Sequence, residues 1–212
     1  MLAILDYKAG NQTSVRRALD ALGIACAITA DPAVLRAADG VIFPGVGAAG
    51  QAMHNLRSRG LDVTLRELVA SGKALLGICL GCQILLDSSD EDGITPTLGL
   101  VPGKCRLFDQ SWQEAGQAIR IPHMGWNSLR VQRPSLLLQG ISPRAQFYFV
   151  HSYYVQCPKE LCIANSVYGQ EFCTVYGRDG LWACQFHPEK SGNAGLRLLK
   201  NFYQYSLEQK KC

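Results

Sequence analysis

The stretch ALLGICLGCQILL, residues 74–86, decides the architecture. Ala74 to Ile78 is a short continuous apolar run, the pattern of a strand buried on both faces. Leu80 to Leu86 follows at once as helical material, and Gly77 and Gly81 bracket Cys79 at the junction. The unit recurs toward the N-terminus. Leu2 to Leu5 is an apolar run; Val15, Ala18, Leu19 and Leu22 then fall on one helical face, and Gly23 ends that helix. Ile24 to Thr29 and Gly40 to Phe43 read as strands, and Pro44-Gly45-Val46-Gly47 as a turn. A helical stretch then runs to about residue 70, with a break near Gly60. Repeated β-α units predict a parallel sheet with helices on both faces.

Beyond about residue 100 short strands replace the helical periodicity. Gln146 to Val150 is one. Leu161 to Val167 and Glu171 to Tyr176 form a hairpin around Tyr168-Gly169-Gln170. Leu181 to Phe186 is another apolar strand, and Leu196, Leu199 and Phe202 mark a closing helix. With no linker and no internal repeat, the expectation is one mixed α/β domain over residues 1–212, its second half carrying antiparallel strands.

Composition narrows the function classes. Of 212 residues 48% are hydrophobic and 18% charged, and the net charge is +4. That balance is too mild to argue for nucleic acid or an anionic membrane. No stretch approaches the ~18 apolar residues of a membrane span, and Asp6 and Lys8 come too early for a signal-peptide core. The sequence predicts a cytoplasmic protein. Its nine cysteines are odd in number and irregular in spacing, which fits buried thiols in a reducing compartment.

Two constellations carry chemistry. Gly77-Ile78-Cys79-Leu80-Gly81 has the form of a strand-turn-helix elbow with Cys at the nucleophile position. A sharp turn strains the nucleophile's backbone, and bulky neighbours would clash. The thiol then projects above the sheet beside the first N–H groups of a helix, which favour a thiolate and can hold an oxyanion. The second is His187-Pro188-Glu189, after the Leu181 to Ala183 strand core. Residues two apart on an extended segment share a side, and Pro188 is expected to stop a helix forming there. Glu189 can then set the tautomer of His187 and favour its imidazolium. A nucleophile needs a base and a base needs an orienting group, and in a parallel sheet the C-terminal strand ends gather at one edge.

An elbow Cys with H-P-E on an α/β sheet resembles the class I, or triad, glutamine amidotransferases. More narrowly, the chain is similar to the glutaminase subunits of imidazole glycerol phosphate synthase. That likeness rests on Asp6-Tyr7 with Gly10-Asn11, Pro44-Gly45-Val46-Gly47, Pro122-His123-Met124-Gly125-Trp126-Asn127 and Tyr148-Phe149-Val150-His151-Ser152-Tyr153. The resemblance implies a flavodoxin-like three-layer sandwich with a mostly parallel central sheet. It implies hydrolysis of glutamine to glutamate and ammonia, with Cys79 as nucleophile, His187 as base and Glu189 orienting it. By similarity, backbone N–H groups of Val46 and Leu80 form the oxyanion hole, and Gly47, Gln83, Ser152 and Tyr153 hold glutamine. His123 with Trp126 could be core, but a Pro-Gly-bounded loop carrying Trp suits a partner contact; the resemblance implies that His123, Met124, Trp126 and Asn127 meet a HisF-type (β/α)8 cyclase subunit that receives the ammonia for histidine biosynthesis. No metal or organic cofactor is implied. Lys8, Gln12, Ala49 and Cys82 depart from the usual family pattern. They leave room for a paralogue feeding ammonia to another synthase, for example one that amidates a sugar.

Several features compete with this reading. Gly45 to Gly50 is a formal G-x-G-x-x-G, the dinucleotide fingerprint, yet it follows the third strand and no acid ends a strand ~20 residues later. Under the resemblance its glycines let a peptide reorient beside Cys79, so the isolated chain is expected to be nearly inactive. Cys79 and Cys82 form a C-x-x-C, but no Trp precedes the pair and Cys82 points into the helix. His151, among aromatics, reads as a satisfied core residue, and His54 as a helix-surface residue. Cys157, Cys162, Cys173 and Cys184 lack zinc-like spacing, and Cys212 is expected at an exposed terminus.

Overall fold

Four apolar runs become the parallel half of one sheet. In the computed structural model, which describes residues 1–8, 10–178 and 180–209, they are β1 (Leu2–Leu5), β2 (Cys26–Thr29), β3 (Gly40–Gly45) and β4 (Ala74–Cys79). The longer strands that follow are β5 (Lys104–Leu107), β6 (His123–Ser128), β7 (Gln146–His151), β8 (Tyr153–Gln156), β9 (Cys162–Tyr168), β10 (Gln170–Arg178) and β11 (Leu181–Cys184). The order across the main sheet is β2-β1-β3-β4-β11-β10-β8-β5. From β2 to β11 the neighbours are parallel; from β11 to β5 they are antiparallel. β9 joins β10 as the expected hairpin, with Tyr168 opposite Gln170.

The helices are α1 (Gln12–Ala21), α2 (Pro32–Ala37), α3 (Ala49–Ser58), α4 (Leu61–Ala70), α5 (Leu80–Ile84) and α6 (Gly192–Gln209). Successive strand side chains point to opposite faces, so each strand feeds two cores. Ala3, Leu5, Val41, Phe43 and Leu75 meet Leu35, Leu56, Leu65 and Leu68 from α2, α3 and α4. Leu2, Ile4, Ile42 and Leu76 meet Val15, Leu19, Leu198 and Phe202 from α1 and α6. This is the three-layer α/β sandwich that the β-α units predict.

Of the boundaries that differ from the sequence reading, three bear on the site. Pro44 and Gly45 extend β3 and pair with Ile78 and Cys79, so the turn is confined to Val46 and Gly47. β1 pairs with β3 only as far as Ile42, so at Pro44 the strand has a ladder on one side alone. α5 stops at Ile84, two residues early. The last strand ends at Cys184, after which the chain bends across the sheet edge. Lys8, where the family pattern has Gly, lies at φ 65, the left-handed region that suits glycine. Cys212 lies outside the described residues.

Candidate active site

Cys79 closes β4 and opens α5 at φ 54 and ψ −109, a conformation that L-residues avoid at a cost of ~1–3 kcal/mol. The flanking glycines explain how the turn is held. A Cβ on Gly81 would lie 1.8 Å from the Phe43 carbonyl oxygen, and one on Gly77 would lie 2.8 Å from Leu85 Cδ1. Only glycine lets α5 pack this closely on β3 and β4.

β11 is the parallel neighbour of β4, with Cys184 opposite Ile78. His187, three residues on, therefore reaches the same edge as Cys79. Its N–H donates to the Tyr148 carbonyl at 2.9 Å, and its own carbonyl accepts from Ser191 Oγ at 2.6 Å. Pro188–Lys190 forms a single 3-10 turn. The expectation that Pro188 would block a helix is thus corrected: proline fits the first helical position, where no N–H is needed. The turn brings Glu189 Oε1 to 2.7 Å from His187 Nδ1, with both side chains fully buried.

Burial alone would push the His187 pKa down. The influence of the Cys79 sulfur and of the Glu189 carboxylate outweighs it and raises the pKa to about 10. Nδ1 donates to Glu189, so Nε2 is the nitrogen left for proton transfer; it is buried and has no hydrogen-bond partner.

A cavity of about 330 Å3 opens at this edge. Its walls include Cys79, His187, Val46, Gly47, Leu80, Gln83, Ser152 and Tyr153. Eight site residues expected from sequence thus surround one space, and Glu189 sits behind the His187 ring. Gln83 is fixed by donating from Nε2 to the Tyr153 carbonyl and to Gln185 Oε1, both at 3.1 Å. Gly47 lies at φ 100, and a Cβ there would meet no atom within 4 Å.

Two residues of the site have no role in the sequence reading. Asn11 Nδ2 donates to Glu189 Oε1 at 2.8 Å and lies 3.2 Å from His187 Nδ1. In the sequence Asn11 is one residue of a family motif, and its place just before α1 looks like a helix cap. The side chain makes no cap bond and turns to the dyad instead. Glu91 lines the cavity and accepts from the Ala49 N–H at 2.6 Å. Its carboxyl is pushed up by burial, partly offset by that bond, with Asp92 adding to the rise. Glu91 stands in an acidic, Ser-rich loop that reads as surface.

The expected partner-contact segment is a strand, not a loop. β6 pairs antiparallel with β7, and alternation divides its residues. Met124 and Trp126 point outward, 62% and 54% exposed. His123 and Asn127 point inward, His123 buried and Asn127 half-buried, so the buried His123 is corrected from a contact to a core residue. The His123 ring is buried between Phe149 and Tyr168, at centroid distances of 4.8 and 4.1 Å. Asn127 Nδ2 donates to the Val167 carbonyl at 2.8 Å. His151 is a satisfied buried residue, as expected. Its Nδ1 donates to the Tyr153 carbonyl at 2.7 Å, which leaves Nε2 to accept from His123 Nδ1 at 3.0 Å. Burial lowers both pKa values, to about 3 for His151 and about 4 for His123.

The rival motifs lose support on geometry. The α3 N-terminus beside the G-x-G-x-x-G is occupied by the Glu91 carboxylate, which would repel a pyrophosphate. Cys82 is fully buried in the core, and burial pushes its thiol well up. His54 is exposed on α3.

Comparison with known proteins agrees with this geometry. The class I glutamine amidotransferase family model matches residues 3–205. The chain is 64% identical over 213 residues to imidazole glycerol phosphate synthase subunit HisH of Nitratidesulfovibrio vulgaris, covering 100% of both chains. It is 46% identical to subunit HisH of Listeria innocua, covering 95% of this chain and 94% of that one. Among solved structures, a glutamine amidotransferase superposes with a TM-score of 0.72 at 20% identity, covering 97% of this chain and 98% of the other. The chain belongs to the class I glutamine amidotransferase family.

Proposed function

We propose that this chain is the glutaminase subunit of an imidazole glycerol phosphate synthase, releasing ammonia from glutamine for a HisF-type (β/α)8 cyclase partner in histidine biosynthesis. The observation that carries the chemistry is the buried His187–Glu189 pair, 2.7 Å apart, on the wall of the cavity that Cys79 enters. The 64% identity to HisH subunits over the full length supports the choice of pathway.

Glutamine enters the cavity with its α-ammonium toward the Glu91 carboxylate, and with Gly47, Gln83, Ser152 and Tyr153 around it. His187, whose cationic form Glu189 favours, carries the proton given up by Cys79. The sulfur attacks the side-chain carboxamide carbon. A carbon–sulfur bond forms and the carbonyl becomes an oxyanion, to which the N–H groups of Leu80 and Val46 donate. Collapse of the adduct breaks the carbon–nitrogen bond; the nitrogen takes the Nε2 proton and leaves as ammonia. His187 then removes a proton from water, which attacks the thioester and releases glutamate. Asn11 acts through Glu189 by holding its carboxylate against the ring.

The oxyanion hole is the gated part. Gly45 is locked in register with Cys79, whereas Gly47 tolerates either sign of φ and stands in open space. The exposed ridge of Met124 and Trp126 runs along the ribbon whose other strand ends at His151, on the cavity wall. Partner docking there can bias the Val46–Gly47 peptide.

A glutaminase assay tests this reading. The chain alone should turn over glutamine slowly, and a HisF-type cyclase with its nucleotide ligand should raise the rate at least tenfold. Cys79→Ala should abolish ammonia release in both. Equal turnover with and without the partner would refute the gate; ammonia release by the Cys79→Ala variant would refute the nucleophile.

A further inference from the structure

Three cysteines that the glutaminase chemistry does not use gather in a second cavity. Cys157, Cys162 and Cys173 share a space of about 620 Å3 with Gln156, Lys159 and Glu171, and this cavity and the catalytic one have no wall residue in common. The antiparallel half of the sheet brings them together. Val155 of β8 lies opposite Cys173 of β10, so Cys157, two residues past Val155, returns to the same neighbourhood. The Cys157 and Cys173 sulfurs lie 3.6 Å apart. A disulfide has an S–S bond of about 2.05 Å, so closure needs a shift of roughly 1.5 Å. Cys157 follows the last residue of β8 and is bound by no ladder register, so the loop can supply that shift. Cys157 is half-buried on the cavity wall, whereas Cys173 lies beneath it.

The other cysteines are differently placed. Cys82, Cys105 and Cys184 are buried in the core and none of them lines this cavity, so no accessible thiol stands beside them there. Among the described residues no group of three or more His, Cys, Asp or Glu side chains is arranged to hold a metal ion. Two contacting thiols at an open cavity, with one accessible, suit redox chemistry better than ligation.

We propose that Cys157 and Cys173 form an oxidisable dithiol, converted by hydrogen peroxide to a reversible disulfide. Cys157 sulfur attacks one peroxide oxygen; the S–O bond forms, the O–O bond breaks and hydroxide departs. Cys173 sulfur then displaces hydroxide from the sulfenic acid. Together the two thiols lose two electrons and two protons, and the peroxide becomes two waters. A dithiol reductant reverses the reaction by exchange.

The test uses the full chain in its folded state. It is treated with equimolar hydrogen peroxide, alkylated under denaturing conditions, digested and mapped by mass spectrometry. The expected product is a Cys157–Cys173 cross-linked peptide, lost on reduction with dithiothreitol. Cys173→Ser should remove the cross-link and leave Cys157 as sulfenic or sulfinic acid, whereas Cys162→Ser should leave the cross-link unchanged. Because Cys173 is buried and its serine variant can misfold, Cys157→Ser serves as the second variant: it should leave Cys173 as free thiol. Cys157 and Cys173 both remaining alkylatable in the wild-type chain, or either pairing with Cys162, would overturn the proposal.

Discussion

Two pairs of buried groups, each built on a histidine, stand at the same end of the sheet and behave in opposite ways. His187 is fully buried against Glu189, and its pKa is raised to about 10. His123 and His151 are buried against each other and against aromatic rings, and their pKa values fall to about 4 and about 3. Burial disfavours the charged ring in both places. What separates them is the partner: a carboxylate and a sulfur in one case, a carbonyl and a second imidazole in the other. One pair keeps a proton ready for transfer. The other stays neutral and fixes the ribbon that carries the exposed Met124 and Trp126.

Removing the carboxylate should erase the contrast. Glu189→Gln keeps the size of the side chain but not its charge, and kcat for glutamine hydrolysis should fall by ~10³-fold or more. Activity within tenfold of wild type would show that Glu189 is not what sets the two histidines apart.

The pH dependence of stability reads both regions at once. His187 binds its proton more tightly folded than unfolded, where a histidine titrates near ~6.5. Its contribution is fully present below about pH 6.5 and is lost as pH rises through about 10. His123 and His151 bind protons less tightly when folded. Their contribution is fully present above about pH 6.5 and is lost as pH falls through about 4 and about 3. Thermal melts across this range should show Tm falling on both limbs. Glu189→Gln should flatten the alkaline limb and leave the acid limb as it is.

His151→Phe addresses the neutral pair alone. It strands the Tyr153 carbonyl and the His123 Nδ1–H, and urea unfolding should show a loss of ~2 kcal/mol. A variant as stable as wild type would mean that the pair contributes nothing to holding the ribbon.

Asn11→Gly is the finest probe of the charged pair. Glycine accepts φ 68, so the backbone keeps its course while the amide is lost. We expect kcat to fall ~10-fold, equivalent to about 1.4 kcal/mol, with KM unchanged and the acid limb of the pH–rate profile displaced. A change in KM alone would place Asn11 with substrate binding instead of with Glu189.

Legibility in the sequence follows the range of the interactions. The parallel strands are readable because burial on both faces leaves apolar runs such as Leu2 to Leu5 and Ala74 to Ile78. The elbow is readable because its glycines stand two residues to either side of Cys79. β6 reads as a loop because Pro122 and Gly125 look like loop residues, while its pairing with β7 is a tertiary fact. With the strand unrecognised, the alternation that turns His123 inward and Trp126 outward is invisible. Asn11 and Glu91 carry no local sign of their targets, 178 residues away at Glu189 and 42 away at Ala49.

The amino-acid order alone determined the β-α succession, the strained cysteine turn and the histidine–carboxylate spacing, since each depends on residues a few positions apart. Only the tertiary structure decided which side chains surround each imidazole, which face of the ribbon meets solvent, and which thiols touch. Those depend on strand pairing and burial, and burial is set by segments remote in the chain that no local pattern records.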